Sequence, residues 1–300
     1  MNFEEFTEEI VKQIKKKLGS EYKMRCETVT KNNSTNLTAL AICKHGEMII
    51  PTIYLEDFFE QYHQGETIYQ IVHKIISIYQ NACKKIEHQN PLSFSMEFDN
   101  CKDRIVYRLV SKEKNLPMLN DVPHESFLDL AIIFTIVYRH TKEGLETIRI
   151  TNEIMEKWNL TTSELMEYAK KNTRCWFPEK ISDLAEIVFP FLEGENEFAL
   201  EEESPINYMK VLTNACKING ASVILYDHVI DDLAEMFESD LYILPSSIHE
   251  LLILPSNGSD KFEELKETVQ QVNKVAVSKE EYLSDTVYLY HKDTKCFEYK

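Results

Sequence analysis

Apolar residues recur at helical spacing near the start of the chain: Phe3, Phe6, Ile10, Ile14 and Leu18, with Glu and Lys between them. A stripe of this period faces a core when the backbone coils at 3.6 residues per turn, and Gly19 ends it. Residues 21–30 and 37–44 are rich in β-formers and flank Asn32-Asn33-Ser34, which predicts a hairpin. Ile49, Ile50 and Ile53 predict a third strand over residues 48–54, on a sheet edge because Pro51 has no amide to give to a ladder. A short helix over 55–63 stops at Gly65. A longer one over 67–86 places Ile68, Ile71, Val72, Ile75, Ile76 and Tyr79 on one stripe. After a polar connector over 87–95, residues 98–113 read as another helix carrying Ile105, Val106, Leu109 and Val110.

In the second half, residues 126–139 read as one long strand covered on both faces, because Ile132, Phe134, Ile136 and Tyr138 alternate with Ile133, Thr135 and Val137. Gly144 turns the chain into a partner strand over 146–151. Thr151 or Asn152 caps a helix over 153–158, and Thr161 or Thr162 caps one over 163–171. Residues 172–192 are less regular, and 193–203 hold six glutamates in a solvated stretch. Strands over 208–213 and 221–226 are expected to pair as a hairpin through Asn219-Gly220. A helix over 229–237, strands over 241–244 and 250–254, a helix over 260–274 and a hairpin over 285–299 complete the chain. Hairpins mixed with helices, without strict strand–helix–strand alternation, predict an α+β fold with mostly antiparallel sheets. The organisation expected is two-part: a helix–sheet module over 1–115 and a larger antiparallel α+β domain over 116–300, with an acidic loop near 193–204. A single merged domain is the alternative.

Composition narrows the function classes. The 300 residues carry 33 basic and 50 acidic side chains, a formal net charge of −17. That balance argues against general nucleic-acid binding, which needs clustered Lys and Arg. No apolar run approaches the ~18 residues of a membrane span, and the N-terminus is acidic and amphipathic, so a cytoplasmic location is expected. Seven scattered cysteines with no Cys-x-x-Cys read as reduced thiols. The glycine-rich phosphate-binding templates, the paired-His metal helix and the serine elbow are missing, so no cofactor and no metal site is expected. The nearest thing to a metal cluster is His228 with Asp227, Asp231 and Asp232, but carboxylates at a helix start are explained by the helix dipole.

Three polar spots carry candidate chemistry. His124 precedes the long apolar run, and Asp121 or Asp129 could orient its imidazole as a general base. The plainer expectation is a histidine tying loop backbone to sheet. Ser247 and His249, with Ser246 and Glu250, invite a triad, but residues two apart in an extended segment bring nucleophile and base together poorly. Hydroxyls satisfying turn amides explain the serines more simply. Arg104 and Arg108, at i and i+4 of the expected helix, could share an anionic ligand, although a salt-bridged surface helix is the plainer expectation.

Several blocks resemble a domain-of-unknown-function family of anaerobic Gram-positive bacteria. They are Pro51-Thr52-Ile53-Tyr54-Leu55, the run Lys102 to Leu109, Asp121-Val122-Pro123-His124 leading to Ala131, Ile150-Thr151-Asn152-Glu153 leading to Trp158, Asp240 to Glu250, and Leu283 to Tyr290. The second half is also distantly similar to the YtpQ-like family in its Asn-Glu…Trp, Asn…Gly-Ala-Ser and Pro-Ser…His blocks. Neither resemblance implies an activity or a catalytic residue. The expected function is a non-enzymatic interaction or regulatory protein whose acidic surface meets a basic protein partner. The alternative is a hydrolase or transferase using His124 and His249.

Overall fold

The computed structural model describes residues 1–44, 52–88, 95–141, 144–192, 207–245, 247–256, 258 and 261–299. Pro51, Ser246 and the acidic stretch expected near 193–204 lie outside them. The chain divides into two compact units, Met1–Phe94 and Ser95–Lys300.

The first unit follows its sequence pattern. Helix α1 (Phe3–Leu18) opens on a capping box: the Asn2 side chain accepts from the Glu5 amide, and the Glu5 carboxylate accepts from the Asn2 amide. Its stripe buries Phe6, Ile10 and Ile14. Strands β1 (Tyr22–Thr30) and β2 (Asn36–Lys44) pair antiparallel across the turn Asn32–Ser34, and β3 (Thr52–Tyr54) pairs with the far side of β2, on an edge as expected. Helices α2 (Glu56–His63) and α3 (Ile68–His88) supply the remaining apolar faces. Leu40, Ile42, Leu55, Ile71 and Ile75 are fully buried between these elements.

The second unit departs from its pattern most clearly in three places, and residues 172–192, expected to be less regular, complete the helix Thr162–Trp176 and form a strand and a helix. Residues 98–113 are not one helix. A single turn, α4 (Phe98–Cys101), runs through a 3-10 turn (Lys102–Arg104) into strand β4 (Ile105–Ser111). Six of the seven β4 residues are buried, so the strand is covered on both faces and shows no period of two to read. Residues 126–139 are two strands rather than one. After α5 (Leu116–Leu119) come β5 (His124–Phe127), a turn at Leu128-Asp129, and β6 (Leu130–Thr141), which then pairs with β7 (Gly144–Arg149). Leu128 takes the left-handed conformation, φ 54°, that lets the chain reverse there. Strand β6 is the axis of this four-stranded antiparallel sheet: β4 lies along one side, and β5 and β7 follow each other along the opposite side.

Beyond it, Thr151 caps α6 (Asn152–Lys157), and Thr161 with Glu164 forms a second capping box on α7 (Thr162–Trp176). Strand β8 (Glu179–Asp183), helix α8 (Leu184–Leu192) and β9 (Lys210–Asn214) follow. The third departure is at residues 221–226. They form a buried 3-10 segment, Gly220–Leu225, not the second arm of a hairpin. Both sides of β9 are already taken, by β8 and by the strand Leu251–Pro255, so no ladder is open to them. Gly220 permits the close passage. A Cβ there would run into Thr213 Oγ1 and the His249 carbonyl and lie 2.8 Å from the Asn214 nitrogen. Helix α9 (Val229–Phe237), β10 (Leu241–Leu244), β11 (Leu251–Pro255), α10 (Phe262–Ala276), β12 (Tyr288–His291) and β13 (Cys296–Tyr299) complete a six-stranded antiparallel sheet in the order β13-β12-β10-β11-β9-β8. The fold is α+β, with antiparallel sheets packed with helices.

Strand β4 lies on the rim of its sheet, and its outward backbone groups are met by side chains. Thr173 Oγ1 accepts from the Tyr107 amide at 3.0 Å, and Ser222 Oγ accepts from the Leu109 amide at 3.0 Å. Asn172 Nδ2 donates to the Ile105 carbonyl at 3.0 Å and to Lys102 at 2.7 Å. Asn172, Thr173 and Ser222 are buried polar residues whose groups replace a neighbouring strand. Among the described residues no helix is long and apolar enough to cross a membrane.

Candidate functional site

The β5–β6 hairpin carries the first candidate group. His124 opens β5, half-buried, and its Nδ1 donates to the Val122 carbonyl at 3.1 Å across Pro123. That bond fixes the tautomer, leaving Nε2 as the basic atom of the neutral ring. Asp121 is exposed, and its backbone carbonyl accepts from the Asn152 amide. Asp129 sits in the β5–β6 turn with both carboxylate oxygens engaged elsewhere. Ser284 Oγ donates to Oδ2 at 2.5 Å, and Tyr288 OH donates to Oδ1 at 2.6 Å. Burial, and then the Asp129 charge, push the Tyr288 phenol well above its ordinary pKa, so it stays a neutral donor. The partners of Asp129 are therefore hydroxyls of the C-terminal strands, not the His124 ring.

The second candidate group forms the β10–β11 connection. Ser247 Oγ accepts from the His249 amide at 3.0 Å, a local turn bond of the kind serine makes two residues back. The His249 ring has other partners. Its Nδ1 accepts from the Asn219 amide at 3.2 Å, and its Nε2 lies 3.5 Å from Glu281 Oε1. The His249 carbonyl accepts from Thr213 Oγ1 at 2.7 Å, and Ile248 donates its amide to the Glu281 carbonyl. The connection is thus pinned on three sides.

The third candidate pair is redrawn by the loss of the expected helix. Arg104 lies in the 3-10 turn, and its guanidinium donates to the carbonyls of Val137 and Tyr138 at 3.3 and 3.2 Å. These carbonyls sit where β6 bulges between Val137 and Arg139. Arg108 lies on β4, opposite Ile133, so it shares no helix face with Arg104. Its electrostatic neighbour is Arg149 of β7, which pattern reading did not single out. Burial, with Arg149 second, pulls the Arg108 pKa down to about 10, and burial lowers that of Arg149. The signal for Arg149 is its alternation with Ile148 and Ile150 along an expected strand. Its meeting with Arg108 needs the register of three strands.

Other groups come together that the sequence left apart. Cys216 Sγ lies 3.4 Å from His140 Nε2, but burial raises the Cys216 thiol pKa, the opposite of an activated thiolate. Asp231, in the His228–Asp232 group at the start of α9, accepts from Tyr290 OH and, at 3.1 Å, from Lys295 Nζ. Among the described residues no group of His, Cys, Asp and Glu is arranged to hold a metal ion.

The fold and these sites define a protein of the α+β class with antiparallel sheets and buried polar ties. Residues 3–292 match the model of a family of unknown function, DUF5688, and the chain belongs to that family. No curated protein matches the chain, and no solved structure matches it.

Proposed function

We propose that this is a cytoplasmic, non-enzymatic interaction or regulatory protein of bacteria, and that its partner is a protein with a basic surface. What supports the reading is the engagement of the candidate catalytic groups. His124 holds Val122, Asp129 holds Ser284 and Tyr288, Ser247 holds the His249 amide, and the His249 ring holds Asn219. Each polar group ties a loop to its surroundings, and the partners of the two imidazoles are separate sets. The excess of 50 acidic over 33 basic side chains repels phosphate backbones and complements a basic protein surface. Contacts of that kind accelerate encounter and are screened by salt.

A second reading, a hydrolase or transferase with His124 as base, has one observation in its favour: the bond from Nδ1 to Val122 leaves Nε2 free to accept a proton. The two readings separate experimentally. The full-length tagged chain is used to capture partners from lysate at low and high salt, and the recovered protein is purified and titrated back. A discrete basic partner that binds the purified chain and is released as salt rises is the expected result. Its absence overturns the interaction reading. A hydrolytic or transfer activity lost in His124→Gln, with an unchanged melting temperature, establishes the enzyme instead.

A further inference from the structure

We propose that the second unit binds a phosphoryl group on one face of its four-stranded sheet, between the guanidinium groups of Arg108 and Arg149. The register fixes the placement. Arg108 and His124 both stand opposite Ile133, on either side of β6, and Arg149 stands opposite Thr135. Directly opposed residues of antiparallel strands share a face, as do residues two apart on one strand. Arg108, Arg149 and His124 therefore rise from the same face, with Cα atoms about 7–12 Å apart by strand spacing and rise, within the joint reach of two arginine side chains. Apolar clusters occupy this face on both sides: Val110, Ala131 and Ile133 with Leu119 and Val122 toward one end, and Val106 and Val137 with Phe177 toward the other.

Between these clusters the two arginines are left with no counter-charge. The Nε atoms of Arg108 and Arg149 are shielded from solvent and have no hydrogen-bond partner. Among the described residues neither guanidinium forms an ion pair. Burial and mutual repulsion weaken the hold of Arg108 on its proton, yet it remains a cation at neutral pH. Two like charges side by side, half-buried, with their Nε atoms shielded and no counter-ion, are a costly arrangement. In a chain with 50 acidic residues a carboxylate would be the ordinary neighbour, and none is bonded there. An anion from outside the chain satisfies both.

The charge of the pair selects the class. A phosphate monoester or free phosphate carries about −1.5 to −2 at neutral pH and offers three acceptor oxygens, matching two guanidinium forks. A single carboxylate would balance one of them. His124 stands on the same face and is positioned beside the bound group.

The test uses the full-length chain, with inorganic phosphate titrated by calorimetry and by thermal shift against chloride at equal ionic strength. Wild type is expected to show a saturable rise in melting temperature. Arg149→Gln should weaken phosphate binding at least tenfold, and Arg149→Lys should keep part of it, since it retains charge but not the fork. The deeper Arg108 is the riskier residue for folding, so Arg149, checked by circular dichroism, carries the test. Glycerol phosphate competing with phosphate identifies an ester as the ligand class, and failure to compete identifies free phosphate; both support the site. A phosphate response that is absent, or equal in wild type and Arg149→Gln, overturns the proposal. A response to citrate without one to phosphate overturns the phosphoryl assignment.

Discussion

His291 stands between two carboxylates. Its Nε2 is 3.1 Å from Glu298 and its Nδ1 3.0 Å from Asp240. These two bonds, Glu298 first, raise its pKa above the ordinary 6.5. A histidine whose pKa rises on folding stabilises the native state fully below the unfolded value and loses that contribution as pH climbs through the folded one. Stability should therefore fall as pH rises from about 6.5. About a third of the His291 side chain is exposed, so solvent screening keeps the effect small. Urea denaturation across this window checks it: the pH slope of wild type should exceed that of His291→Gln, and equal slopes would remove His291 from the account. The ion pair of Lys210 with Asp183 joins β9 to β8 in a similar way, where the outer strand has few apolar side chains to hold it.

At the scale of elements, the rim of β4 shows how a strand can be held without a neighbouring strand. Ser222→Ala removes the acceptor of the Leu109 amide in a place water does not reach. The loss should be about 1–3 kcal/mol, the range for a buried donor left unmatched. Equilibrium unfolding measures it, and a change under a few tenths of a kcal/mol would show that the amide finds another partner. The same rim explains where pattern reading succeeds and fails. The helices α1, α3, α9 and α10 carry one apolar stripe each, so their type follows from local spacing. The run Ile105-Val106-Tyr107-Arg108-Leu109-Val110 is buried on both sides of the backbone except at Arg108; its ladder with β6 makes it a strand, and its outward groups are met from residues 172, 173 and 222, far along the chain. Residues 221–226 have strand-forming composition, but whether β9 has an open side is decided by β8 and β11. The candidate sites were legible to the same degree. Arg108 and His124 are chosen by type and position, while Arg149 meets Arg108 only through the ladder.

Over the whole molecule, Asp129 links parts of the second unit that are remote in sequence. It sits in the β5–β6 turn and is held by Ser284 and by Tyr288 of β12, while Phe127 of β5 packs edge-on against Phe297 of β13 with ring centroids 5.5 Å apart. A double-mutant cycle of Asp129→Ala with Tyr288→Phe should give a coupling energy of about 0.5–3 kcal/mol, as residues in one hydrogen-bond network do. Additivity of the two losses would mean that the contact does not join the sheets energetically. Nothing near Asp129 in sequence announced this role, because its partners are separated from it by 155 and 159 residues.

That separation has a consequence for synthesis on the ribosome. The turn that sets β5 against β6 includes a leucine in the left-handed region, and its anchor, Asp129, has no hydroxyl partner until residues 284–288 have been made. For the interval in which some 150 residues are added, at roughly 5–20 residues per second, this corner of the protein waits with a carboxylate facing a surface that does not yet exist. A nascent chain paused short of Ser284 lacks both hydroxyl donors of Asp129.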